Sequence, residues 1–182
     1  MLMNMKDILA VAKENRFALP AFNISDYSMF LGIMDVCEET NSPVIIEIHP
    51  DELSFIGQEM VTAIKEKAYR SPVPVCIHLD HCGDFGKIIW AIQSGFTSVM
   101  FDGAELSFED NIAGTKKVVE AAHPVNVSVE AELGTIGSTN PEDLEGGSAK
   151  IIYTNPEDAV KFVAETGVDT LAVAIGTCHG LY

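Results

Sequence analysis

The segment CIHLDHCGD, residues 76–84, ends an apolar run in two histidines and an aspartate. Such groups are costly to bury without partners, so the rest of the chain must bring partners or solvent to them. Strand alternation places His78 and Asp80 on one face and His81 on the other. Asp80 and His81 can therefore share a site only if the chain turns there, and Gly83 predicts such a turn.

Polar side chains stand at the C-terminal end of nearly every predicted strand. They are Asn23, His49, Asp80, His81, Asp102, Glu132 and, just beyond the sixth strand, His179. A single histidine at a strand end is usually a neutral, hydrogen-bonded residue, and the alternative is a metal ligand. Because His179 occupies a setting similar to that of His81, the pair favours the metal-ligand interpretation.

Short apolar runs alternate with longer segments whose apolar residues recur every three or four positions, which predicts a βα repeat. The predicted strands are 17–24, 43–49, 73–80, 98–103, 126–134 and 170–176. The predicted helices are an amphipathic helix in 1–16, then 26–40, 55–70, 85–95, 108–122 and 156–167. No linker divides the chain, so we expect a single domain over 1–182.

Near-continuous apolar strands such as PVIIEI and TLAVAIG are typical of a parallel sheet covered by helices. A (β/α) barrel and an open doubly wound sheet both fit this pattern. The barrel is favoured because no GxGxxG or GxxxxGK motif follows the first strand and because barrel enzymes carry their chemistry at the C-terminal ends of the strands.

Composition excludes some partners. Eleven Lys and Arg against 27 Asp and Glu give a formal net charge of −16, the wrong sign for nucleic acid or an anionic membrane surface. A small anionic substrate remains compatible, since backbone N–H groups, a metal or a few lysines can bind phosphate. Without a signal-peptide pattern or a membrane-spanning run, the protein is expected to be cytoplasmic.

The motifs LPAFNI, HLDH, SVMFD, VEAELG, YTNP and LAVAIGTCHG occur in order along the whole chain. Together they resemble the class II, zinc-dependent ketose-bisphosphate aldolases, which include fructose- and tagatose-bisphosphate aldolases. The resemblance implies an α/β fold, a (β/α)8 TIM barrel. It also implies reversible cleavage of a ketose 1,6-bisphosphate into dihydroxyacetone phosphate and glyceraldehyde 3-phosphate.

The resemblance also implies a zinc site. His81 and His179 match ligand positions, and neutral imidazoles suit Zn²⁺. Asp102 and Glu132 match carboxylates that form an alternative metal position or orient the ligating imidazoles. We therefore expect these four side chains to meet at the end of the barrel.

Further roles follow from the same resemblance. Asp80 matches the aspartate that takes the C4 hydroxyl proton during cleavage and returns it in condensation. Asn23 resembles a substrate-contacting asparagine. Gly180 resembles a glycine whose backbone helps to hold the substrate phosphate and a monovalent cation such as Na⁺ or K⁺.

Two stretches depart from the family pattern. After the fifth strand, the family commonly places an acidic residue that handles the C1 proton of dihydroxyacetone phosphate, but a direct count lands on Asn140. Glu142 is the nearest candidate for that role, with Glu145 as the alternative. After the second strand, IEIHPDEL (46–53) replaces a Gly- or Ser-rich stretch, which leaves the identity of the sugar open.

The length is the third departure. An eight-stranded barrel usually takes about 250 residues, so 182 residues cover about the first six βα units. The third zinc histidine of the family falls outside them, and Glu132, Cys82 or Cys178 is a candidate substitute. Exposed sheet edges would favour association, so we expect a homo-oligomer.

Two classes of function are therefore compatible with the sequence. One is a metal-dependent aldolase, and the other is a catalytically inactive scaffold subunit or a truncated fragment of such an aldolase. A Schiff-base aldolase would need a lysine on a strand, and no predicted strand contains one.

Overall fold

The computed structural model describes residues 1–138 and 152–179. Their strands are β1 Ala21–Asn23, β2 Val44–Ile48, β3 Val75–Cys82, β4 Ser98–Phe101, β5 Ser128–Leu133, β6 Gly137–Ser138, β7 Thr170–Val173 and β8 Cys178–His179. Their helices are α1 Met5–Asn15, α2 Tyr27–Thr40, α3 Pro50–Arg70, α4 Phe85–Ser94, α5 Phe108–Ala122 and α6 Pro156–Thr166. A short 3₁₀ turn, His123–Val125, follows α5. None of the described helices is both long and apolar enough to cross a membrane.

Six strands form one parallel sheet in the order β1-β2-β3-β4-β5-β7. Each strand thus pairs with the next long strand along the chain, and helices connect them, which is the strand order of a (β/α) barrel. All six predicted strands are confirmed. The short strands β6 and β8 pair in parallel beyond the ends of β5 and β7.

Helix α3 begins at Pro50, five residues earlier than the sequence pattern predicts. The side chain of His49 caps it by accepting a hydrogen bond from the backbone N–H of Asp51 at 3.3 Å. Proline suits the first turn because the N–H groups there have no partner within the helix. The backbone of Gly57 (φ 68°) interrupts the helix close to the predicted start.

The two faces of the strands pack against different helices. One face packs against the surrounding helices in the main core, and its residues in β2 and β3 are Val44, Ile46, Ile48, Val75, Ile77 and Leu79. On the opposite face, which we call the interior face, Ile45 and Cys76 pack against Met5 and Ile8 of α1. Helix α1 thereby covers the N-terminal end of the interior face, and the polar side chains lie towards the other end.

Asp169 joins three separate segments at the N-terminal end of the sheet. Its side chain, 4% exposed, accepts a hydrogen bond from the N–H of Val129 at 2.9 Å. It also lies 2.8 Å from Nε2 of His123 and 3.2 Å from Nζ of Lys6. Burial alone would raise the pKa of Asp169, but these three partners together hold it below its ordinary value.

Asp169→Asn should lower the free energy of unfolding near neutral pH by about 1–3 kcal/mol, because a buried charged acceptor loses its charge-assisted bonds. A depressed folded pKa stabilises the protein above the unfolded pKa of 3.8, and that stabilisation is lost as the pH falls through the folded pKa. The difference between the two proteins should therefore shrink below about pH 4 in urea titrations.

Asp35→Asn is the matched control, since Asp35 is exposed on α2 and should tolerate the change at every pH. An Asp169→Asn deficit that is as large in acid as at neutral pH would contradict a role for the charge.

Candidate metal and catalytic site

His81 reaches the end of the barrel because the backbone turns at His81 itself. Strand β3 continues to Cys82, and its pairing with β4 shifts register between Leu79 and Cys82. The φ angle of His81 is 42°, in the left-handed region that residues other than glycine seldom adopt. The turn predicted at Gly83 thus lies two residues earlier. Asp80 and His81 still lie in one site, as expected from a turn here, since Nε2 of His81 lies 3.9 Å from Oδ1 of Asp80.

The C-terminal ends of three neighbouring strands bring His81, Asp102 and Glu132 together, and we call these residues the His81 cluster. Nδ1 of His81 lies 2.8 Å from Oδ2 of Asp102 and 3.9 Å from Oε2 of Glu132. One potential ligand atom from each side chain lies within 4.8 Å of the others. One imidazole and two carboxylates form a donor set that Zn²⁺ accepts.

Glu132 gives an independent reason to expect a cation in the His81 cluster. Its side chain is only 1% exposed, and its Oε2 has no hydrogen-bond partner among residues 1–138 and 152–179. A buried acceptor without a donor is costly, and a bound cation would satisfy it. The residues present therefore fit a metal ion.

The electrostatics of the cluster are compatible with a bound cation. Burial, reinforced by the charge of Asp102, raises the pKa of Glu132 to about 7. Burial would lower the pKa of His81, but Asp102 and Asp80 outweigh it and raise that pKa to about 9. The surrounding carboxylates thus favour a positive charge at the position of His81, which either a proton or a metal ion can provide.

A second group of side chains lies on the interior face, nearer to the N-terminal ends of the strands than the His81 cluster. Glu47, His78 and Asp80 each place one potential ligand atom within 4.8 Å of the others. His78 is fully buried, with Nδ1 2.9 Å from Oγ of Ser98 and Nε2 3.2 Å from Oε2 of Glu130. This last pair is close enough for an ion pair, although its geometry does not make a hydrogen bond.

Sequence reasoning missed Glu47. Burial raises its pKa to about 7, and the charge of Asp80 adds to the shift. Strand pairing places Glu47 beside both Asn23 of β1 and His78 of β3, so it belongs to the same row of the interior face. The available signal was a lone carboxylate within the otherwise apolar run VIIEI, on the same face as His49.

Asn23 and Asp80 are in direct contact. Nδ2 of Asn23 donates a hydrogen bond of 2.9 Å to Oδ2 of Asp80, which joins the end of β1 to that of β3. A cavity of about 550 Å³ opens beside them. Its lining residues are Asn23, Ile24, Ser25, Met29, Glu47, His49, Glu52, Asp80 and His81.

The structure therefore brings together five of the residues that the sequence singled out, namely Asn23, Asp80, His81, Asp102 and Glu132. The backbone of His179 lies in β8, where it pairs with Ser138 of β6. The side chain of His179 and the whole of Glu142 and Gly180 fall outside the described part of the chain.

Comparison with known proteins agrees with this architecture. The family model of class-II fructose-bisphosphate aldolase matches residues 3–182. A D-tagatose-1,6-bisphosphate aldolase subunit, GatY, of Klebsiella oxytoca is 42% identical over 178 residues, which are 97% of this chain and 62% of the relative. A fructose-bisphosphate aldolase of Staphylococcus aureus is 40% identical over 185 residues, which cover 100% of this chain and 64% of that protein.

Among solved structures, the crystal structure of the YdjI aldolase from Escherichia coli K12 superposes with a TM-score of 0.86 at 34% identity. The match covers 100% of this chain and 63% of that one. The chain thus spans less than two thirds of the length of these relatives, and its six parallel strands correspond to that part of a TIM barrel. On the match over residues 3–182, the chain belongs to the class-II fructose-bisphosphate aldolase family.

Proposed function

We propose that the protein catalyses zinc-dependent aldol cleavage of a ketose 1,6-bisphosphate to dihydroxyacetone phosphate and glyceraldehyde 3-phosphate, and the reverse condensation. The observation that carries the proposal is the His81 cluster lying directly beside Asp80 in a chain of this family. A Schiff-base mechanism lacks support, because no strand in the described part of the chain contains a lysine.

Zinc would be held by His81 with the carboxylates of Asp102 and Glu132, and His179 is the predicted further ligand. When bound, zinc would supply a Lewis acid that stabilises the negative charge developing on the ketose oxygen as the carbon–carbon bond breaks. The contact of 2.8 Å between the carboxylate of Asp102 and Nδ1 of His81 keeps this ring nitrogen next to the carboxylates that would share the zinc.

Asp80 is the proposed acid/base group. In cleavage its carboxylate accepts the proton of the C4 hydroxyl, the C4–O bond becomes a carbonyl, and the electron pair of the C3–C4 bond moves to the dihydroxyacetone half. In condensation the same proton returns to the aldehyde oxygen. Asn23 donates to Oδ2 of Asp80, and Oδ1 of Asp80 lies 3.9 Å from Nε2 of His81.

Several roles and properties stay predictions from the sequence. Glu142 as the group that handles the C1 proton, and Gly180 as a phosphate and Na⁺ or K⁺ contact, stay predictions. A cytoplasmic homo-oligomer is also still a prediction. The alternative, a catalytically inactive scaffold or a fragment of an aldolase, is separated from the enzyme by the two experiments below.

His81→Ala should lower the affinity for zinc by at least about tenfold, because the cluster loses its nitrogen ligand. Metal analysis after dialysis against limiting zinc, with circular dichroism to verify folding, measures this effect. Asp80→Ala is the control and should retain the zinc content of the unmodified protein. Equal zinc content in all three proteins would rule out a His81-centred site.

Asp80→Ala should lower the rate of ketose-bisphosphate cleavage by about a hundredfold or more, the usual effect of losing a general acid/base. The coupled assay detects dihydroxyacetone phosphate, and chelator should abolish the activity of the unmodified protein until zinc is restored. Asp51→Asn, an exposed carboxylate in the first turn of α3, should leave the rate unchanged. Full turnover by Asp80→Ala would disprove the assigned role, and an inactive unmodified protein would favour the scaffold.

A further inference from the structure

The end of β2 places two polar side chains on the interior face beside the proposed acid/base group. Glu47 and His49 are two residues apart, so both project to the same side of the strand, and both line the cavity that contains Asp80. We call these two residues the β2 wall. The mechanism proposed above uses neither of them.

The cap of α3 fixes which nitrogen of His49 can donate. The N–H of Asp51 donates to Nδ1 of His49, so Nδ1 is an acceptor and the proton of the neutral ring is on Nε2. The carboxylates of Asp51 and Glu52 also lie on the Nδ1 side, at 3.9 and 3.6 Å. His49 therefore offers an N–H donor from the opposite edge of its ring.

Carboxylates supply the acceptors on this side of the cavity. Glu47 lies within 4.8 Å of Asp80, and both line the cavity. Two carboxylates this close together would repel a phosphate dianion, whereas a hydroxyl group can donate to a carboxylate and a hydroxyl oxygen can accept from the N–H of His49. The chemistry of the β2 wall thus matches the hydroxylated carbons of a sugar rather than its phosphates.

The spacing also fits two neighbouring hydroxyl groups. A hydroxyl has one proton to donate, so Asp80 and Glu47 each need a hydroxyl of their own. One oxygen of Glu47 and one of Asp80 lie within 4.8 Å of each other, which is close enough for hydroxyls on adjacent carbons to reach both. With the C4 hydroxyl donating to Asp80, the neighbouring hydroxyl faces Glu47 in only one configuration at C4.

We propose that Glu47 and His49 recognise the hydroxyl at the reacting carbon and the one beside it, and so determine which C4 epimer of the ketose bisphosphate is cleaved. The inference rests on the proposed function, because Asp80 locates the C4 hydroxyl in the cavity. Fructose and tagatose 1,6-bisphosphate differ only in configuration at C4, so the β2 wall discriminates between these two sugars.

The test compares kcat/KM for the two bisphosphates in variants of the zinc-loaded protein. Glu47→Gln replaces one carboxyl oxygen of Glu47 by an N–H₂ group, with little change of shape. His49→Asn keeps an acceptor that can cap α3, but its shorter amide cannot place an N–H donor where Nε2 of the ring lies. Glu52→Gln is the matched control, because it removes a carboxylate from the same cavity but not from the group around Asp80.

The ratio of kcat/KM for the two epimers should change by about tenfold or more in Glu47→Gln and His49→Asn, and by less than about twofold in Glu52→Gln. Zinc content should be unchanged in all three. A fall by the same factor for both epimers, or an equal change of ratio in Glu52→Gln, would overturn the proposal.

If the unmodified protein cleaves neither sugar, the proposed function fails, and calorimetric dissociation constants for the two bisphosphates then test the β2 wall by itself. A change in the ratio of these constants in Glu47→Gln, but not in Glu52→Gln, supports the wall. An unchanged ratio, or binding of neither sugar, overturns it.

Discussion

The site depends on one backbone conformation, the left-handed turn at His81. In a regular strand, His81 would follow Ile77 and Leu79 into the core between sheet and helices, where an imidazole finds few partners. The positive φ and the register shift instead direct it to the end of the barrel. Such a conformation costs about 1–3 kcal/mol, and the contact of 2.8 Å with Asp102 helps to offset that cost.

Strand alternation separates stability from chemistry in the rest of the sheet. The outward face is apolar along its length and packs on the helices, so it stabilises the fold irrespective of the interior. The interior face changes from Ile45 and Cys76 beside α1 to the buried His78 and then to Glu47 and Asp80, which line the cavity. Charged groups are therefore concentrated where solvent, substrate and one another can satisfy them, as barrel enzymes require.

Much of this was predictable from the sequence, because hydrophobic period and strand-end polarity are local signals. They located all six strands of the sheet and placed Asp102 and Glu132 near His81. The start of α3 was missed because histidine is an unusual capping residue. Glu47 was missed because its importance comes from neighbours on β1 and β3. A left-handed backbone conformation can be anticipated from the sequence at a glycine but not at a histidine. The turn was therefore assigned to Gly83 and not to His81.

The most direct test of zinc binding by the His81 cluster is a crystal structure of the zinc-loaded protein with anomalous diffraction recorded at the zinc edge. We expect one strong anomalous peak about 2.0–2.2 Å from a ring nitrogen of His81 and from a carboxylate oxygen of Asp102 or Glu132, with Asp80 beside it. A peak elsewhere in the protein, or no peak at full zinc loading, would contradict the proposal that this cluster is the metal centre.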